Sequence, residues 1–187
     1  MNRSKHNTKL RSFRLLLKSL IIIGCAAMLI NCGGGSSSGG GGGGDADAAA
    51  NFKFLGTWTG QWTNATFGSS GSVEVEITDN GDGTVTVTVD LGGMVGGMID
   101  PDPRSDIVTI NSDGSASYSA NQDMLGTLNI ELSENGQLTI ETPDIPTAGF
   151  SSLTVEGTVT ETNANLTTDV VFSNNTTATG TVTASKN

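Results

Sequence analysis

"SVEVEITDNGDGTVTVTVDL", residues 72–91, decides the fold class. Val73, Val75 and Ile77 alternate with Glu74, Glu76 and Thr78, and Val85, Val87, Val89 and Leu91 alternate with Thr86, Thr88 and Asp90. Side chains of an extended chain point to opposite faces in turn, so strict alternation predicts two strands, each with one buried and one wet face. The intervening "DNGDG" (79–83) is hairpin-turn chemistry, because Asn and Gly accept the positive φ that a tight turn needs.

The same pattern continues to the end of the chain. "DIVTI" (106–110), "SASYSA" (115–120), "LGTLNIEL" (125–132) and "QLTIET" (137–142) are followed by "LTVEGTVT" (153–160), "LTTDVVF" (166–172) and "TATGTVTA" (177–184). With residues 54–63 they make about ten short strands, most separated by short turns rich in Asn, Ser and Gly, and helical periodicity is absent. Sequential hairpins predict a single all-β domain over residues 52–187, an antiparallel up-and-down barrel of about 8–10 short strands, with a meandering β-sandwich as the alternative.

The first strand, "FLGTWTGQW" (54–62), carries Gly56-Thr57-Trp58, which resembles the Gly-x-Trp start of lipocalins and related calycin barrels such as the avidins. The resemblance implies that Trp58 lies across one barrel end and plugs it, with Phe54 and Trp62 on the same strand face. Independently of that likeness, the two tryptophans are the largest core candidates in an aromatic-poor domain. Trp62 lies nearer the polar run "TNATFGSSG", so it is expected to be partly wet and to matter less for stability than Trp58.

The N-terminus has a different character. Arg3, Lys5, Lys9, Arg11, Arg14 and Lys18 precede an apolar stretch from Ser19 to Asn31, the pattern of a secretory signal peptide over residues 1–31. Thirteen helical residues reach about 20 Å, short of a bilayer core of about 30 Å. Leu29-Ile30-Asn31-Cys32 resembles the lipobox of bacterial lipoproteins, departing from it at Asn31. The resemblance implies that Cys32 becomes a lipidated mature N-terminus, and Gly33 after it implies sorting to the outer membrane. Ile22-Ile23-Gly24-Cys25 is a second candidate, but cleavage there would strand Ala26 to Ile30 as apolar sequence. Residues 32–51 then read as the lipidated cysteine and a flexible Gly/Ser-rich tether.

Removing the leader leaves Lys53, Arg104 and Lys186 against all 19 acidic residues. Such a surface repels phosphate backbones, which excludes nucleic acid as a partner. The sole histidine, His6, lies in the leader, and Cys32 is the only cysteine after it. His-dependent triads, Cys–His pairs and His/Cys zinc sites are therefore absent, and no catalytic residues are expected. No P-loop or dinucleotide fingerprint occurs, and no cofactor is expected.

One stretch breaks the hairpin rhythm: "LGGMVGGMIDPDPR" (91–104). Glycines within a strand pattern signal a bend or bulge, while Met94 and Met98 are adaptable apolar groups suited to a ligand mouth. Asp100, Asp102 and Asp106 crowd the loop as candidate calcium ligands, and Arg104 among them is equally placed to neutralise them. The leading expectation is a lipid-anchored, non-catalytic envelope barrel that binds a small apolar ligand or a partner surface. A structural or adhesive module with a filled core is the alternative, and a glycoside-active enzyme using paired carboxylates comes third.

Overall fold

The computed structural model describes residues 45–95, 98–122 and 125–187, with only the backbone of Val95 and Met98. The leader, Cys32 and the glycine run lie outside the described residues.

Ten antiparallel strands close into an up-and-down barrel, in the order β1-β12-β11-β10-β9-β8-β7-β6-β3-β2 and back to β1. They are β1 (Gly56–Asn64), β2 (Ser69–Asp79), β3 (Thr84–Leu91), β6 (Arg104–Ile110), β7 (Ala116–Gln122), β8 (Gly126–Leu132), β9 (Gln137–Thr142), β10 (Phe150–Val159), β11 (Asn163–Phe172) and β12 (Thr177–Lys186). Between β3 and β6 the chain leaves the wall as a separate two-stranded hairpin, β4 (Met94–Val95) and β5 (Met98–Ile99). The architecture is the all-β antiparallel barrel that the alternation predicts, and the sandwich is set aside because β1 closes on both β2 and β12.

Turn chemistry holds the register. In the β2–β3 turn Gly81 and Gly83 adopt φ of 76° and 84°, values that cost a side chain strain. Gly81 N–H donates to Asp79 Oδ1 at 2.9 Å and Thr84 N–H to Asp82 Oδ1 at 3.1 Å, so these carboxylates serve the turn.

A short helix α1 (Ala46–Ala50) occupies part of the stretch read as tether. Asp45 caps it by accepting from the Asp47 and Ala48 amides, and Ala49 is fully buried. A five-residue Ala/Asp segment has too few turns to show an apolar period, so its burial was not visible from pattern. Among the described residues, the packed structure therefore includes Asp45 to Asn51 as well as Phe52 onward.

α1, Phe52, Phe54 and Trp58 pack with Val85, Ile110 and Ala116 and seal the barrel end where β1 begins. At the far end, Trp62, Val73 and Leu91 form one cluster, and Phe150, Leu153, Val155, Val170 and Ala178 another. All of these clusters, and the partners that each of the ten wall strands needs on both sides, come from residues 45–187. That segment has its own core and no free sheet end, the conditions for folding alone.

Candidate functional site

The barrel interior is the place to look for a site. Along β3, Val85 and Leu91 are buried, yet Val87 and Val89 between them on the same face are only half-buried. Val75, Val108, Ile130 and Val182 also face inward and are likewise half-buried. In a closed barrel, water reaches an inward side chain only through the lumen or a break in the wall. An eight-stranded barrel is just filled by side chains or holds one small ligand, and diameter grows with strand number. Ten strands lined largely by Val, Ala and Gly have a wider circumference than eight, and of the half-buried residues Val75, Val87 and Val108 pack against the cluster at the sealed end and Val89 and Val182 against the Trp62 cluster.

Among the described residues, this apolar lining carries a polar network on β6 and β7. The alternation that sends Val108 and Ile110 inward also sends Arg104 and Asp106 inward, and on β7 it does the same for Tyr118 and Gln122. Arg104 Nε donates to Asp106 Oδ2 at 3.1 Å, and Arg104 Nη1 donates to Gln122 Oε1 at 2.9 Å. Tyr118 OH donates to Asp106 Oδ1 at 3.0 Å. The Arg104 and Asp106 side chains are 13% and 30% exposed, so the ion pair is partly screened from solvent. Burial raises the Tyr118 phenol above its usual pKa, the Asp106 charge and hydrogen bond add to this, and Arg104 opposes it. The four groups form a hydrogen-bonding patch whose one cation is already matched by one anion.

The residues expected from sequence are distributed differently. Trp58 is 3% exposed at the sealed end, its Nε1 donating to Phe54 O at 2.9 Å, with the Phe54 ring centroid 6.5 Å away. Phe54 is buried beneath it. Trp62 is not partly wet: it is 1% exposed, packed on Val73 and Leu91, and its Nε1 donates to Gly92 O at 3.0 Å. Val75, Val89, Val182 and Ala184 add to its cover, which the polar run after β1 did not reveal. Met94 is exposed on the β4–β5 hairpin, and the side chain of Met98 lies outside the described residues.

Asp100, Asp102 and Asp106 do not converge. Asp100 Oδ1 accepts from Gly93 N–H at 2.6 Å, while Asp106 is engaged by Arg104 and Tyr118 inside the barrel. Among the described residues no group of three metal-ligating side chains occurs. The calcium expectation therefore has no geometric support. Tyr118 and Gln122 were missed, although polar residues at inward positions of "ASYSANQ" were the available signal.

A second concavity, of about 570 Å³, lies on the outer wall over β9–β12, lined by Thr139, Glu156, Asn165, Thr167, Thr181 and Thr183 among others. It is open, and Thr, Gln, Asn and Glu side chains make up most of its lining.

No protein-family model matches the chain, and no curated protein matches it. Among solved structures the chain is similar to Rv2717c from M. tuberculosis, with a TM-score of 0.55 and 13% identity over 76% of this chain and 97% of that one. A redesigned β-barrel matches at a TM-score of 0.32 and 17% identity over 72% and 92% of the two chains. At 13% identity the first likeness speaks for the barrel fold and nothing further.

Proposed function

We propose that the protein is a lipid-anchored, non-catalytic barrel of the bacterial envelope that holds a small, elongated apolar ligand with a neutral polar end. The observation that supports this is the set of half-buried inward side chains Val75, Val87, Val89, Val108, Ile130 and Val182 above a barrel end packed with α1, Phe52, Phe54 and Trp58, which we read as an apolar lumen open to water. The polar end of the ligand rests against Arg104, Tyr118 and Gln122. A neutral head suits the site because Arg104 is already paired with Asp106, and a second anion beside that carboxylate would lack a free cation. The anchor on Cys32 and the outer-membrane location rest on the lipobox-like Leu29-Ile30-Asn31-Cys32 and on Gly33.

The test uses residues 45–187 and the dye Nile red, whose fluorescence rises in apolar surroundings. Binding with one-to-one stoichiometry is expected, with displacement by 1-dodecanol and much weaker displacement by dodecanoate at pH 8. Absence of any fluorescence rise would refute the lumen reading. The open, Thr-rich groove over β9–β12 supports the second reading, an adhesive or structural surface module, and that reading would then take precedence.

A further inference from the structure

Every pair of neighbouring wall strands except one is held by a ladder of at least four register pairs. The exception is β6 with β7, where only Thr109↔Ser117 and Ile110↔Ala116 pair, both beside the sealed end. On its other side β6 is laddered to β3 from Thr109 to Arg104, and β7 is laddered to β8 along its whole length. Residues 104–108 and 118–122 therefore face each other across a seam with backbone groups that have no ladder partner. Backbone amides and carbonyls that lose their strand partner must be satisfied by side chains or water.

Side chains bridge the seam instead. Extending the β6–β7 register sets Arg104 opposite Gln122 and Val108 opposite Tyr118. Two hydrogen bonds span it, Arg104 Nη1 to Gln122 Oε1 at 2.9 Å and Tyr118 OH to Asp106 Oδ1 at 3.0 Å. On its outer side Ile107 is 64% exposed, an apolar step at the middle of the seam. Parting any other wall breaks a continuous ladder; parting this one breaks two side-chain bridges.

We infer that the β6–β7 seam is the lateral passage into the lumen, with Arg104–Gln122 and Tyr118–Asp106 as its clasp. The inference rests on the lumen reading above. It also accounts for the location of the polar network. A chain-like ligand that passes between the strands tail first leaves its polar end at the clasp, where hydrogen-bonding groups replace those it parted. The sealed end is not an alternative route, because α1 and three aromatic side chains fill it.

The test measures association and dissociation of Nile red by stopped flow on residues 45–187, a segment without cysteine. Tyr118→Phe removes one bridge and keeps the ring. Ser105→Cys with Asn121→Cys places two outward, exposed thiols opposite each other across the seam for linkage by a flexible bismaleimide. Tyr118→Phe is expected to speed association and dissociation about tenfold each, the effect of losing one hydrogen bond to a charged group; the faster association is the readout that loss of a ligand contact alone would not give. Linked cysteines are expected to slow both rates at least about tenfold, whereas the unlinked pair behaves as the parent. If Tyr118→Phe fails to fold, the linked pair decides alone. Binding with rates that linkage leaves unchanged would overturn the seam and keep the lumen. No binding by the parent would overturn both.

Discussion

Trp62 is the sharpest test of how the far end of the barrel is built. Its indole is 1% exposed, packs on Val73 and Leu91, and donates to the Gly92 carbonyl at 3.0 Å, at the base of the β4–β5 hairpin. The approach is so close that a Cβ on Gly71 would lie 2.6 Å from Trp62 Nε1 and 1.9 Å from Gly92 O. Truncating a buried tryptophan costs about 3–5 kcal/mol. With a urea slope of ~2 kcal/mol per M for a domain of this size, Trp62→Ala should lower the midpoint by about 1.5–2.5 M. Trp62→Phe keeps most of the packing but orphans the Gly92 carbonyl, which costs about 1–3 kcal/mol. Trp58→Ala should fall in the same range as Trp62→Ala, against the sequence expectation that Trp62 matters less. Hydrogen exchange adds a local readout. The Asp100 amide, bonded to Gly93 O at 2.9 Å, should exchange faster in Trp62→Phe because its hairpin has lost an anchor. A Trp62→Ala loss below ~1 kcal/mol, the size of a surface change, would refute this account.

Three further outcomes are expected. Tyr118 is the only tyrosine, so absorbance titration of residues 45–187 reports it alone; its midpoint should lie above ~10 and fall in Asp106→Asn. Because the folded-state pKa is raised, the stability this contributes is present below ~10 and is lost as pH rises through the folded value, which urea midpoints between pH 8 and 11 check. Replacing the helix cap by Asp45→Ala should cost about 0.5–2 kcal/mol, and Ala49→Lys should cost more by forcing a charge into a fully buried position; thermal melts compare them. Mass spectrometry of the mature N-terminal peptide should find Cys32 carrying lipid, and an unmodified Cys32 or a chain beginning at Cys25 would refute the anchor.

Much of the wall was legible because a strand with one dry face writes its own period. "TVTVTVDL" spans β3 residue for residue, and "QLTIET" spans β9. The residues that escaped did so for physical reasons. α1 is one turn long and buries a single alanine, too little to leave a period. Trp62 sits beside polar sequence, and its indole's partner, the Gly92 carbonyl, lies thirty residues on. The same parity that marks Val108 and Ile110 as inward also marks Arg104 and Asp106, so an inward polar pair was readable in principle from "RSDIVTI". Its partners were not readable. Which two strands meet poorly depends on closing all ten around one circumference, and the clasp exists only because β6 and β7 separate beyond Thr109 and Ser117. Alternation assigns a side chain to a face; it carries no information about the distance to the next strand. The inward face was therefore visible in the sequence, whereas the seam through which we propose the interior is reached is a property of the closed barrel.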